Sequence, residues 1–440
     1  MRELHVFSYE FKHFLKTPAK VITYLFFMFA CAYSIYNGFD LQNKQKQTIQ
    51  NIEIENKNKV LKVLTWFEEG KSGPESKSWV DISNPYWSLN YIPTYMLKHP
   101  SSLLPLGVGQ AEQYGYYKEI TNWSSTYDND MVEELSNPER LVNGNIDFSF
   151  LVIFLLPVLL IILTYNIKGL EDDFKFDKLI TIQFGAIKKW IFIRFLFYVF
   201  LLIFTVVFFI ITVSVINNSL VTDFSQVKSL ILLSSLYIIF FATIFYFIAV
   251  YSCGSSAIAF KMISAWLLLC VLIPGSVHQF ASMKYPVNYM TDYLDVNRKE
   301  AYEVFELSTD SLYYRLVEIY PALNETVHGQ EDEIDNRIIR NTVCAVINEM
   351  NKNVIKDIEQ QNEAKNQLIF SSYWVNPVSF VQNKWNSYTF TDYYSYKRYR
   401  SNVQKIIDKK IELLSVECWG RRKVNRSIYQ QYLQEFNYDM

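Results

Sequence analysis

"WIFIRFLFYVFLLIFTVVFFIITVSVI", residues 190–216, decides what kind of protein this is. Its single charge, Arg194, stands near the start, and Phe, Ile, Leu and Val supply most of the rest. As a helix rising 1.5 Å per residue it covers about 40 Å, more than the roughly 30 Å of hydrocarbon in a bilayer. A helix on the surface of a soluble protein keeps a polar face, and this one has none. Its surroundings must therefore be lipid or other apolar helices.

Four further runs of the same kind flank it: 21–38, 148–166, 228–252 and 257–277. The second contains Pro157, which is tolerable where neighbouring helices satisfy the freed carbonyl, and the last ends at Pro274 and Gly275. The fold class is thus an all-α polytopic membrane protein with five transmembrane helices. Residues 1–20 place Leu4, Phe7, Phe11 and Phe14 three and four apart, with His5, Glu10, Lys12 and His13 elsewhere on the wheel, the pattern of a helix lying in the interface. Residues 39–147 and 278–440 are polar and read as two largely helical domains. In the first, "NKNKVLKVLTWFEEG" is helical and "SNPYWSLNYIP" turn-rich. In the second, "EDEIDNRIIRNTVCAVINEMNKNVIKDIEQQNEAKNQ" has no Gly or Pro, and "YKRYRSNVQKIIDKKIELLSVE" predicts another long helix.

The formal charge of -2 averages two sides that differ. The side holding the N-terminus, the 167–189 segment and Lys261 carries more base than acid, and the other side more acid than base. Basic excess marks the cytoplasm, so the N-terminus is expected inside and both large domains outside. The first apolar run has no cleavage site after it, the abundance of Asn and Lys suits the codon bias of a low-GC bacterium, and the expected location is a bacterial inner membrane.

The span centres hold no acid, base or histidine, which disfavours ion-coupled transport; Arg194 and Lys261 sit near span ends and are expected to snorkel. No HExxH or GxSxG occurs, so no catalytic residue is assigned. Gly70–Ser72 lacks the upstream glycine of a phosphate loop. The five cysteines form no CxxC pair, and Cys344 and Cys418 could form a disulfide or stay buried thiols. No metal site is assigned: His278, Met283 and Met290 read better as a boundary histidine and packing methionines than as copper ligands. Trp79, Tyr86, Trp87 and Tyr91 could grip a substrate, lie on the membrane or fill a core.

"GLEDDFKFDKLITIQFGAIKKW", residues 169–190, is longer than a hairpin between two spans requires. It begins with Glu171, Asp172 and Asp173, continues with Phe174, Phe176, Leu179, Ile180, Ile182 and Phe184, and leaves through lysines. Apolar and aromatic groups interleaved with acids suit docking into a groove on a partner, the acids pairing with basic residues there.

These residues resemble the bacterial ABC type-2 exporter permeases. Glu10 in "SYEFKHFLKTP", "AYSIYNG" at the end of the first span, then Glu171 and "LITIQFGAIKKWIFIR" with Gln183, Gly185 and Arg194 stand in matching places. "WVNPVSFVQNKWNSYTFTDYYSYKRYR", through Asn376, Pro377, Asp392 and Arg398 or Arg400, is similar to the branch with large external domains, which includes the gliding-motility and nitrous oxide reductase maturation permeases. The resemblance implies an interfacial helix carrying Phe7, Glu10 and Phe11, and coupling of Glu171, Asp172, Asp173, Phe174, Phe176, Gln183 and Gly185 to a separate ATP-binding subunit. That subunit would bind ATP and Mg²⁺, leaving no cofactor in this chain. It also implies a second permease copy or a similar permease, membrane lipid and a periplasmic partner, and no nucleic acid. The family usually has six spans, whereas this chain reaches "YQQYLQEFNYDM" where a sixth would start. The expected function is the permease subunit of an exporter; the alternative is a subunit that relays ATPase movement to a periplasmic partner without transport.

Overall fold

The structure, a computed structural model, describes residues 2–127, 146–184, 186–287, 296–331 and 335–436. It is mostly helical with almost no sheet, and among the described residues five helices are long and apolar enough to cross a membrane. The chain is an all-α membrane protein.

Helix α1 (Arg2–Lys16) packs across the start of the bundle, and α2 (Pro18–Glu68) follows after a single residue. Pro18 opens α2 at a position where its missing N–H costs nothing. Gly70 closes it, with φ +66 and with Lys71 N–H bonded to the Trp66 carbonyl, the left-handed cap that glycine adopts freely. Between them α2 runs unbroken for 51 residues, about 75 Å. The sequence reading ends the first span at residue 38 and starts a separate helix near residue 57; the structure makes both parts of one rod. Gly38 does not break it. A side chain there would meet the Pro105 backbone at 2.6 Å, so its smallness serves a close crossing rather than a helix end.

The second span starts at Asp147, whose Oδ1 accepts the Phe150 N–H at 2.7 Å. A π-turn (Leu151–Leu155) leads into α3 (Leu156–Thr164). Pro157 leaves the Ile153 carbonyl without its intrahelical donor. Tyr237 Oη donates to that carbonyl at 2.7 Å, and Trp266 Nε1 donates to the Phe154 carbonyl at 3.0 Å. Neighbouring helices do satisfy the freed backbone, as the sequence predicts. Helices α4 (Asn166–Asp173) and α5 (Asp177–Phe184) form an elbow, bent at Lys175 with φ +60. The remaining spans are α6 (Ile187–Ile216), α7 (Phe224–Tyr251) and α8 (Ser255–Leu267), the last continuing through a π-turn into α9 (Ile273–Lys284).

Outside the bundle, the sequence divides two polar segments into two domains, but the structure gives them one core. Val60, Leu64, Leu89 and Ile120 from the first pack with Leu316, Ile339, Val403, Ile407 and Trp419 from the second. A two-stranded antiparallel hairpin, β1 (Tyr95–Leu97) and β2 (Tyr117–Glu119), lies within it. From Asn336 onward the Gly- and Pro-free stretch is helical with one break, into Asn336–Thr342 and α10 (Cys344–Ser371). Helix α11 (Pro377–Tyr388), capped by Asn376, returns to the bundle: Val378, Val381 and Trp385 share the apolar cluster of Phe148 and Phe209. Helix α12 (Tyr393–Trp419) goes back to the distal core.

A collar joins bundle to distal domain. Gln42 Nε2 donates to the Ser101 carbonyl (2.7 Å), Asn217 Nδ2 to that of Ser102 (2.6 Å), and Trp385 Nε1 to that of Leu106 (2.8 Å). At Gly109, φ +49 and the nearness of Thr391 leave no room for a side chain.

Candidate functional site

At the opposite end of the bundle from the collar, polar groups from four helices meet. The sequence places Glu10 on the polar side of α1 and lets Arg194 snorkel toward water. The structure corrects both: Glu10 is 0% and Arg194 3% exposed. Val6, Glu10 and Phe14 form the inward face of α1, and Phe7 packs edge-on against Phe197 at 5.2 Å. A charge buried at such a boundary must be paired.

Arg194 supplies the pairing. Its Nε donates to Glu10 Oε2 at 2.5 Å, and its Nη1 donates to Glu171 Oε1 at 2.8 Å and to the Ile167 carbonyl at 3.1 Å. Tyr198, one turn further along α6, donates its hydroxyl to Glu10 Oε1 at 2.6 Å. Lys20, in the first turn of α2, donates to the Tyr198 hydroxyl (3.0 Å) and the Leu163 carbonyl (2.7 Å). Two acids and two bases thus lock α1, α2, α4 and α6 together. Burial pushes the Glu10 carboxyl up, but the charge and hydrogen bond of Arg194, the Tyr198 hydroxyl and the charge of Lys20 outweigh it and hold it below the ordinary carboxylate value. Burial holds His13 toward its neutral form against the attraction of Glu10, and the charges of Lys20 and Arg194 act in the same direction as burial.

The elbow is tied to the rest of the bundle by its polar groups. Asp173 Oδ2 accepts the Ser255 hydroxyl at 2.6 Å, joining α4 to the start of α8. Lys168 donates to the Val250 and Ser252 carbonyls at the end of α7, where a cation meets the negative end of the helix dipole. The sequence turns Glu171 and Asp173 outward to a partner. Instead, both find nearer partners within the chain. The elbow's exposed side chains include Phe174 and Phe176, stacked with centroids 5.9 Å apart, then Leu179 and Ile182, the last 82% exposed, beside Lys175 and Thr181. The side chains of Asp172 and Gln183, and Gly185 altogether, lie outside the described residues. Phe11, with Tyr9 and Leu15, is half-exposed on the outer side of α1.

Lys20 and Tyr198 escaped the sequence reading. A signal existed for Tyr198, four residues after Arg194 and so on the same helix face. Lys20 carries no mark that separates it from any boundary lysine. Among the other singled-out residues, Tyr86, Trp87 and Tyr91 pack on the distal core and Trp79 is exposed. Cys344 and Cys418 are free thiols, both pushed up to about 12 by burial. His278 and Met283 lie five apart on α9, roughly 140° around the helix from one another, and Met290 is outside the described residues. No group of three metal-ligating side chains occurs among the described residues.

The cluster ties four helices into one unit. Displacing α4 must either break the Arg194–Glu171 bond at the bundle edge or carry α6 and α1 along. Comparison with family models, with curated proteins and with solved structures found no match to this chain.

Proposed function

We propose that this chain is the membrane subunit of an ATP-driven transporter of the ABC type-2 exporter kind, set in a bacterial inner membrane with its N-terminus in the cytoplasm. A separate ATPase, holding ATP and Mg²⁺, drives it. One observation carries the proposal. Glu10, Glu171 and Arg194, the residues on which the resemblance rests in the first helix, the elbow and the third span, converge on a single guanidinium although up to 184 residues separate them. A chance likeness of short motifs gives no reason for them to meet.

In this reading the ATPase receives the apolar outer face of the elbow, Phe174, Phe176, Leu179 and Ile182. Its movement then passes through Glu171 to Arg194, and so to α6 and α1. A second copy completes the transporter, and substrate passes between copies. A second reading, relay of movement to an outside partner without transport, is favoured by α2: its first turn enters the charge cluster through Lys20 and its last turns enter the distal core through Val60, Leu64 and Trp66.

Co-expression with a candidate ABC-type ATP-binding subunit tests the first step. Phe174→Ser with Ile182→Ser should abolish ATPase co-purification while the chain remains folded in the membrane; unchanged co-purification would reject the elbow as the docking element. Vesicles containing both subunits then separate the two readings. Uptake of a labelled substrate supports export, and turnover linked only to release of an outside partner supports relay.

A further inference from the structure

The distal domain holds a cavity of about 360 Å³, within the range of small-ligand sites. Four parts of the chain build it: the last turns of α2, the turn around Lys77, the segment that follows Asn90, and the end of β2, with Lys410 of α12 behind. Val63, Trp66, Ile92 and Ile120 give it an apolar wall, all four buried in the distal core. Three exposed lysines, Lys59, Lys62 and Lys77, stand around it, and none takes part in an ion pair among the described residues. Lys59 and Lys62 are one helical turn apart, so their charges are neighbours.

The buried lysine has a different part. Lys410 donates to the Ile120 carbonyl (2.8 Å), Thr94 Oγ1 (3.1 Å) and the Ile92 carbonyl (3.4 Å), which uses all three of its protons to pin the wall. It adds positive charge without reaching into the space. Glu119 is the one acid of the lining. Four bases to one acid around a low-dielectric wall focus positive potential into the cavity. An anion there would relieve the repulsion among the lysines, and an apolar body attached to it would cover Trp66 and Val63.

We infer that this cavity binds a small organic anion, a phosphate or carboxylate carried on an apolar group, taken up from water. Distance along α2 favours water over the headgroups of the surrounding bilayer as its source. Lys59 lies 21 residues beyond Gly38 on the continuous α2, roughly 30 Å further along the rod. The site does not depend on the proposed ATPase coupling.

Titration calorimetry on the full chain in nanodiscs, with phenyl phosphate, inorganic phosphate and benzyl alcohol as probes, tests it. Phenyl phosphate should bind with a dissociation constant below about 1 mM, and each of the other two at least about tenfold more weakly, since each lacks one half of the recognised chemistry. Lys62→Gln with Lys77→Gln, both exposed and so harmless to folding, should weaken phenyl phosphate at least about tenfold. Absence of phenyl phosphate binding, equal binding of benzyl alcohol, or wild-type affinity in the double variant would each overturn the assignment. The three-probe comparison on the unaltered chain decides the matter even if the variant misfolds.

Discussion

Arg194→Met is the most informative single change. It keeps an unbranched apolar stem and removes the charge that pairs two carboxylates. Taking away one partner of a buried ion pair costs about 3–5 kcal/mol, because the other charge stays buried. The lower end applies here, for two reasons visible in the site. Glu10 retains the Tyr198 hydroxyl at 2.6 Å and the charge of Lys20, and Glu171, 16% exposed, can turn to water. The expected loss is therefore about 3 kcal/mol. Glu10→Gln in the Arg194→Met background removes the stranded charge and should restore stability to within about 1 kcal/mol of the parent.

The pH dependence gives a second, independent sign. In the parent, the folded Glu10 value lies below 4.5, so its contribution is complete above that pH and is lost as pH falls through the lowered value. In Arg194→Met, burial becomes the dominant influence and the folded value rises above the ordinary one. Folding then favours the protonated carboxyl, so the variant's deficit should be largest near neutrality and shrink as the solution is acidified toward pH 4. Reversible unfolding in bicelles, followed from pH 7 to pH 4 for parent, both singles and the double variant, measures all of this. A coupling energy under about 0.5 kcal/mol, or a deficit that does not change with pH, would refute the pairing as the element that locks α1, α4 and α6.

Three further outcomes follow from other sites. Tyr237→Phe should cost about 1–3 kcal/mol by stripping the donor from the Ile153 carbonyl, and Pro157→Ala in that background should recover most of it by restoring an intrahelical N–H; the same unfolding assay reads both. Gly109→Ala forces a β-carbon into a left-handed position 2.6 Å from Thr391 Oγ1 and should cost about 1–3 kcal/mol, seen as earlier thermal unfolding of the collar. Burial holds Lys410 down at about 8 against an ordinary 10.5, so the unfolded chain binds the extra proton between those values and stability should rise with pH there, by at most about 3 kcal/mol. Lys410→Met should flatten that rise; an unchanged slope would assign it to other groups.

The spans were legible because lipid imposes one simple demand, an uncharged run of sufficient length, and residues 190–216 meet it without help from any neighbour. The Pro157 reading succeeded for the same reason: a missing N–H in hydrocarbon leaves a carbonyl that something must satisfy. The continuity of α2 was also written in the chain, since no Gly or Pro occurs between Gly38 and Gly70, but the change from apolar to polar composition at Asp40 looks like a boundary. A helix leaving a membrane has no reason to stop if its polar half still carries a buried stripe, and Ile49, Val60 and Val63 supply one.

The charge cluster marks where one-dimensional reading runs out. Glu10, Glu171 and Arg194 are recognisable in the sequence as residues to watch, yet each reads as facing outward, Glu171 to a partner, Glu10 on the polar side of its helix and Arg194 to water, whereas all three face one another. Charge alone does not tell a side chain which way to face; the nearest compensating charge does, and here it comes from segments at least 23 residues apart in sequence. With Glu171 and Asp173 bonded within the chain, the exposed side chains described on the elbow are mostly apolar, Phe174, Phe176, Leu179 and Ile182 beside Lys175 and Thr181. Aromatic and aliphatic groups kept on the tip of a connection between two spans cost solubility unless something covers them. A partner that grips this elbow would therefore hold it by shape and apolar contact, and such a grip should survive salt concentrations that dissolve a charge-based one.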